Sequence, residues 1–441
     1  MATTRWFQGA TFKVLGIGFL ALLMLVPLGL VNGLVHEREG RAQEAANQIA
    51  ARWGARQKLG GPVLVVPVRH SQRKGDALVM VETREYLLPD QLSIRAELVP
   101  EVRRYGMYEA VVYLATTQIE GRFRPEDLAL LEGEGRQVQW SRAQLRVPVA
   151  DVRGIRRVSA LHLEERELAF GPDSGGVGDS AAISAPLGLD ETASPPSGLI
   201  FAFELTLAGS EQLAVLPLAR QTDVQMQGAW PDPGFDGAFL PATRTVNASG
   251  FTATWQVLDL NRPIARHWNE AETSRLQLAD SAFGVSLVQP VGAYQQNVRT
   301  GKYGVLFVAL TFVVFFLFEV LRKLRVHPVQ YLLVGAALCT FYVVLLALSE
   351  QIGFALAYLA AAVATIALVG GYASAVLGAR RAGFTLALLL GLVYALLYGL
   401  VQSEDYALLM GSLALLVALA ALMYLTRRVD WYAMGSGNEV A

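Results

Sequence analysis

The run Gly304-Val305-Leu306-Phe307-Val308-Ala309-Leu310-Thr311-Phe312-Val313-Val314-Phe315-Phe316-Leu317-Phe318-Glu319-Val320-Leu321, closed at once by Arg322-Lys323-Leu324-Arg325, decides how this chain is read. A bilayer core of about 30 Å needs roughly 20 apolar residues in helical form, which a core helix of a soluble protein seldom supplies. Four runs of the same kind follow, at 331–348, 352–377, 384–401 and 407–426. Another stands alone near the N-terminus, at 14–35. The pattern predicts a multi-pass α-helical membrane protein with six helices, five of them forming a C-terminal bundle over 304–426.

Charge between the runs gives a direction, because short connectors rich in Lys and Arg stay cytoplasmic. Arg322, Lys323 and Arg325 follow the second run, Arg380 and Arg381 the fourth, Arg427 and Arg428 the sixth. The intervening connectors carry only acid, Glu350 in one and Glu404 with Asp405 in the other. Arg5 and Lys13 precede the first run. Every crossing agrees: both termini, including the tail 427–441, are predicted cytoplasmic, and residues 36–303 extracytoplasmic. A cleaved leader is the alternative for the first run, but such leaders have an apolar core of about 7–15 residues ending at a small-x-small site. Here the run passes through Leu30, Val31, Leu34 and Val35 into His36-Glu37-Arg38-Glu39. Residues 1–35 therefore read as a short cytoplasmic segment and an uncleaved anchor, with Pro27 a tolerated kink.

With 441 residues, 53% of them hydrophobic, the chain has room for a bundle and one or two water-facing domains. The net charge of −1 hides a division: 9 basic and 6 acidic residues lie outside 36–303, against 28 and 32 within it. Neither part has the basic field of a nucleic-acid binder, so the expected partner is the lipid bilayer, not nucleic acid. The single cysteine, Cys339, lies in the third run, so the region 36–303 must stand on its core without disulfides.

That region opens with a helical pattern over 37–56, in which Ala42, Ala45, Ala46, Ile49 and Trp53 form one stripe and Gly60-Gly61-Pro62 supplies a stop. Short runs rich in Val, Leu, Tyr and Thr then recur between Gly, Pro and Asp, predicting strands at 63–68, 77–87, 93–99, 108–120 and 143–149. Arg124-Pro125-Glu126-Asp127 reads as a short helix start. Residues 171–198 mix Gly, Ser, Ala and Pro without periodicity and read as a flexible linker or loop, which leaves one lobe or two open. Strands resume at 199–208, 212–217, 223–227 and 250–258. The fold class is thus a membrane bundle with a large β-rich (α+β) domain inserted between helices 1 and 2. Between the later strands lie Trp230-Pro231-Asp232-Pro233-Gly234-Phe235 and Phe239-Leu240-Pro241. Aromatics on a stiff, turn-rich segment suit a binding surface, and Trp230, Pro231, Phe235, Phe239, Leu240 and Pro241 are the candidate contact residues. The commoner fate of such side chains is to fold inward and plug the end of a sheet.

With these segments in view the chain closely resembles the CreD family of cell-envelope integrity inner membrane proteins. The resemblance runs from Lys58-Leu59-Gly60-Gly61-Pro62 to Val429-Asp430-Trp431-Tyr432. Its most specific pieces are 230–235, Phe239-Leu240-Pro241, Ser249-Gly250-Phe251 with Trp255, 327–335, and Leu346-Ala347-Leu348-Ser349-Glu350 with Gly353-Phe354. The weakest match is 171–198. The resemblance implies an inner-membrane effector made under a two-component envelope-stress system and associated with envelope maintenance and responses to cell-wall antibiotics. It implies a periplasmic place for 36–303, and no reaction, catalytic residue or cofactor.

Glu319 sits near the cytoplasmic end of the second span, where a carboxylate is costly unless paired or snorkelling, and Arg322 and Lys323 stand on the same helical face; an interfacial ion pair is the expected account. His327-Pro328 and Gln330-Tyr331 open the third span, with Pro suited to a first turn and Tyr to the interface. Glu350 lies at the opposite mouth, roughly 30 Å away along one helix, so His327 and Glu350 cannot form a catalytic pair. Gly370, Gly371 and Ser374 permit close helix packing, by default within the bundle. His36, His70, His162, His267 and His327 are scattered, with no zinc-type spacing, phosphate-binding Gly-Lys loop or Gly-x-Ser-x-Gly elbow, so neither a metal, a cofactor nor a catalytic constellation is predicted. The expected function is non-enzymatic: the exported domain engages an envelope component or a protein partner. A small-molecule or lipid transporter and a membrane-bound hydrolase are the rivals. The sequence leaves the oligomeric state open.

Overall fold

The computed structural model describes residues 10–74, 77–106, 108–133, 135–178, 180–189, 198–273, 278–287, 293–321, 326–376, 380–403 and 406–427. They divide into a helical unit, Met1–Arg41 with Val291–Ala441, and a β unit, Ala42–Pro290. The divisions fall inside the region read from sequence as one exported block, because short helical segments at both of its ends group with the helical unit.

Helices α1 (Ala10–Leu23) and α2 (Leu25–Trp53) are separated only at Met24. Pro27 lacks the N–H that would reach the Leu23 carbonyl, and the helix breaks one turn upstream of it. Met24 N–H to Leu20 O at 3.1 Å and Leu28 N–H to Met24 O at 3.2 Å carry the ladder past the break. Glu37 and Arg41, one turn apart on α2, pair at 2.6 Å. The helix ends earlier than Gly60-Gly61-Pro62: Gly54, at φ +151°, leaves the helical region where a side chain would collide with the Ala208 carbonyl. Trp53 caps this end, its indole donating to Tyr113 O at 3.2 Å beneath the Arg103 guanidinium.

The β unit holds three sheets. The largest runs β10 (Arg166–Leu168), β9 (Leu161–Leu163), β13 (Leu199–Ser210), β5 (Tyr108–Phe123), β4 (Gln91–Tyr105), β15 (Gln221–Gly228), β18 (Gly250–Leu258), β17 (Thr243–Asn247), with β8 (Ile155–Val158) also on β13. The second runs β11 (Gly171–Val177), β12 (Ser180–Pro186), β7 (Gln144–Pro148), β2 (Val63–Lys74), β3 (Ala77–Leu87), β19 (His267–Asn269), with β6 (Arg136–Val138) on β2. The third joins β1 (Gln57–Gly60), β14 (Gln212–Leu216), β20 (Phe283–Leu287) and β16 (Pro233–Gly237). Pairing is antiparallel except for β1 with β14 and β4 with β15. Short helices α3 (Pro125–Leu128) and α4 (Glu270–Thr273) decorate the loops. Alternate residues of β4, β15 and β18, such as Ile94, Leu98, Met226 and Trp255, point into one core with Leu64, Val66, Phe201 and Phe283. Each such large side chain contributes about 1.5–3 kcal/mol by leaving water.

Two readings need correcting. Residues 171–186 are a hairpin, not a linker: β12 pairs with β7 from Ala182 opposite Pro148 to Pro186 opposite Gln144. Asp173 meets the buried Arg146 at 2.6 Å, and Gly176 and Gly178, both at φ +61°, form the irregular turn. The small residues that suggested flexibility are those that fit here, since Ala182 and Ala185 are buried. Residues 190–197, the Pro-rich end of that stretch, lie outside the described residues. Within the segment read as turn-rich, Pro233–Gly237 is a strand, β16, paired with β20.

In the remainder of the helical unit, α5 (Ala293–Lys302) precedes α6 (Gly304–Leu321), α7 (Pro328–Ile352), α8 (Phe354–Val376), α9 (Arg380–Gln402) and α10 (Ala407–Thr426). Among the described residues, five helices are long and apolar enough to cross a membrane, or six if Tyr294–Lys302 and Gly304–Val320, bent by 46°, count as one span. The runs at 304–321 and 407–426 coincide with α6 and α10. Helices α8 and α9 approach closely where Gly370 faces Ala387 and Gly383 faces Ser374.

Candidate functional site

The outer face of the largest sheet carries an extended polar surface. Because successive side chains alternate across a strand, the residues between the core positions of β4, β5, β15 and β18 all face outward. The register lines them up in two rows. In one, Gln118, Arg95, Gln225, Thr254 and Thr243 are partners in turn. In the other, the order is Thr116, Glu97, Gln227, Thr252 and Thr245. With strands about 4.8 Å apart, each row extends about 19 Å. Each row has a single charge, of opposite sign, and Arg95 also meets Glu120 at 3.3 Å. Thr243 and Thr254 share a hydrogen bond of 2.6 Å.

Two adjoining clefts indent this face. One, of about 180 Å³, is lined by Arg95, Glu97, Thr116, Gln118, Gln225 and Gln227. The other, of about 360 Å³, shares Glu97 and Gln227 and continues over Gly228, Ala229, Thr245 and Asn247. Amide and hydroxyl groups both donate and accept without titrating, so the surface suits uncharged, hydrogen-bonding matter. Nothing in the local sequence marks it, because the row members come from five strands separated along the chain.

The aromatic segment adjoins the second cleft. The Trp230 backbone N–H donates to Gly228 O at 3.0 Å, and the residue follows the lining residue Ala229. Its neighbours turn inward: Phe235 packs 6.3 Å from Phe251 and 6.1 Å from Trp255, and Phe239 sits edge-on to Phe283 at 5.7 Å. Trp255 donates to Phe239 O at 3.2 Å. Pro241 is half-buried, while Pro231 and Leu240 are exposed.

Where α6 gives way to α7, Glu319 is buried and accepts from the Tyr331 hydroxyl at 2.8 Å and from Val326 N–H at 2.7 Å. Arg322 and Lys323, its expected partners, lie outside the described residues. Phe312 and Phe315 wall Tyr331 edge-on. His327 and Gln330 cap α7: His327 Nδ1 accepts from Val329 N–H at 3.3 Å, and Gln330 Oε1 from His327 N–H at 3.0 Å. At the far end of α7, Glu350 accepts from Tyr294 at 3.1 Å while Asn297 donates to Ser349 at 2.9 Å, which seats the unpredicted helix α5. These residues make two separate helix joints. Cys339 is buried beside the Met24 carbonyl.

One cluster of buried charge in the β unit is built on Glu85, which meets His267 Nε2 at 2.7 Å and the Arg136 guanidinium at 2.7 Å. Burial alone raises the Glu85 pKa, but the His267 hydrogen bond, with Arg136 behind it, takes it below the ordinary 4.5. Among the described residues no group of three His, Cys, Asp or Glu is placed to hold a metal ion.

The family model described as inner membrane protein CreD matches residues 9–432. The inner membrane protein CreD of Escherichia coli (strain K12) is 33% identical over 418 residues, covering 93% of this chain and 91% of that protein. A match of this span takes in both units, the apolar helices and the β-rich insert together, and the chain belongs to the CreD family of inner membrane proteins.

Proposed function

We propose that the β unit is exported and serves as the binding module of an inner-membrane protein that maintains the cell envelope, with the helical unit as its anchor. The supporting observation is the two-row polar face and its adjoining clefts, which offer an extended array of neutral donors and acceptors to an uncharged envelope polymer. In this reading the protein binds and does not catalyse. The alternation of Arg-rich and acidic connectors supports cytoplasmic termini and an outer β unit.

A photoreactive residue at Gln225, compared with one at the exposed turn residue Glu165, tests the surface in cells under wall-antibiotic stress. Adducts specific to Gln225 are expected; identical capture from both positions sinks the assignment. For orientation, Ser249→Cys is expected to react with an impermeant maleimide in spheroplasts, against the low background of buried Cys339. Labelling only after lysis would reverse the topology.

One observation favours a second reading, lipid handling. A cleft of about 680 Å³ between α6, α9 and α10 is lined wholly by apolar side chains, among them Leu310, Phe318, Leu396, Met410 and Leu425, and suits an acyl chain. Protein-dependent movement of a labelled phospholipid between liposome leaflets would support it; none would leave the cleft as lipid packing.

A further inference from the structure

At one end of the largest sheet, four neighbouring strands terminate together: β5 at Phe123, β4 at Gln91, β15 at Gln221, and β18 at Leu258. The loops at this end carry a dense set of charges. Asp90 lies at the middle with a fully buried carboxylate, met by Arg124 Nε at 2.7 Å, Arg220 Nε at 2.6 Å and, more distantly, Arg122 Nε at 3.7 Å. Backbone bonds fix the frame: Asp90 N–H donates to Arg122 O at 2.9 Å, Gln221 N–H to Asp90 O at 3.0 Å, and Asp259 N–H to Arg220 O at 2.8 Å.

Asp90 alone cannot balance three guanidiniums, and Asp127 adds only a weaker attraction to Arg124 and Arg220. Each arginine makes its shortest approach to Asp90 through Nε, which leaves terminal guanidinium N–H groups for a further acceptor. For the Arg122 and Arg220 side chains no other hydrogen bond or ion pair occurs among the described residues, and they are 48% and 42% exposed. Arg124 reaches only the exposed Glu126, at 4.0 Å. The neighbouring acids are already engaged: Arg266 lies 3.5 Å from both Asp127 and Asp259. The buried Arg262 beside them spends its terminal nitrogens on the carbonyls of Ile264 and Ala219, at 2.7 and 2.8 Å.

We propose that Arg122, Arg124 and Arg220, splayed by the buried Asp90, form an anion site that takes a phosphoryl or diphosphoryl group. A carboxylate engages one guanidinium fork, whereas the several oxygens of a phosphate or diphosphate engage two or three at once and match the surplus positive charge. The shared chemistry is the phosphate; a membrane lipid headgroup and a soluble phosphate compound are its two sources. This site is separate from the polar face, and it stands whether or not that face binds a polymer.

The test uses the full-length protein in neutral-lipid nanodiscs, titrated with inorganic pyrophosphate by calorimetry. Saturable binding that weakens with added salt is expected, reduced roughly a hundredfold or more in Arg122→Gln/Arg220→Gln, since each lost charge-assisted fork costs about tenfold, or about 1.4 kcal/mol. Arg95→Gln, on the polar face, is expected to leave it unchanged. Arg122 is the outermost contact of Asp90, so Arg122→Gln alone is the variant to read if the double variant melts early; it too is expected to weaken binding. A short-chain phosphatidate that displaces pyrophosphate assigns the site to lipid headgroups, and failure to displace assigns it to soluble phosphates. Absence of saturable binding to wild type, or equal binding by wild type and Arg122→Gln, overturns the proposal.

Discussion

The two units bury carbon in opposite ways. In the β unit, Leu64, Val66, Leu145, Phe283 and Val285 show no exposure at all, sealed between sheets. In the helical unit, α10 buries none of its residues and leaves Leu416 63% exposed. Water drives the first arrangement, because each hidden methylene contributes. Lipid removes that drive from the second, so its helices are held where small residues let backbones meet, as at Gly370 and Gly383, and where hydrogen bonds cross, as from Tyr331 to Glu319. An exposed leucine therefore means little in the helical unit and a great deal in the β unit.

That contrast breaks first in the β core. Trp268, 2% exposed and stacked on Tyr86 at 5.6 Å, is expected to cost about 3–5 kcal/mol when changed to Ala, read by chemical denaturation of the purified protein. Next is Gly383→Val, which drives a side chain into Ser374 and the Gly370 carbonyl. A loss of about 1–3 kcal/mol is expected in detergent melts, and an unchanged melt would show that α8 and α9 are not held by close approach. Tyr331→Phe removes one hydrogen bond from the buried Glu319, and membrane hydrogen bonds average about 0.6 kcal/mol, so the expected loss is under about 2 kcal/mol.

Acid sharpens the contrast from another side. The folded pKa of Glu85 lies below its ordinary 4.5, so the unfolded chain binds this proton more readily than the folded one. Its contribution is present above 4.5 and is lost as pH falls through the lower folded value. The melt of the β unit, followed by far-ultraviolet circular dichroism, is therefore expected to weaken below 4.5, and less so in Glu85→Gln. The smallest effect is expected at Leu416→Ala, within about 0.5 kcal/mol, because most of that residue is left uncovered by its own unit. A larger loss would mean that α10 has a protein partner.

The sequence revealed most where one periodicity or one transfer free energy decides the outcome. Helices α6 and α10 match their apolar runs, and β3 and β18 match their β-rich runs, end to end. It failed where the stabilising partner is distant. The hairpin 171–186 reads as a linker because its order comes from Arg146 and strand β7, not from its own Gly and Ser. Helix α5 is polar by composition and is held by Ser349 and Glu350 of α7. The polar face was invisible for the same reason: Gln118 and Gln225 become near neighbours only through Arg95 on the strand between them. The inward turn of Phe235 and Phe239 followed the commoner fate of aromatic side chains, whereas Asp90 and its arginines gave no local pattern.

Strand β1 has a consequence for biogenesis. Gln57–Gly60 leaves the ribosome early, yet its parallel partner is Gln212–Leu216, which is itself bracketed by Phe283–Leu287, almost the last part of the unit to be made. No half-finished chain can close this clasp. The nascent domain must be kept from aggregating until its end arrives, so a premature stop anywhere before Phe283 is expected to yield a substrate for proteolysis and not a smaller working domain.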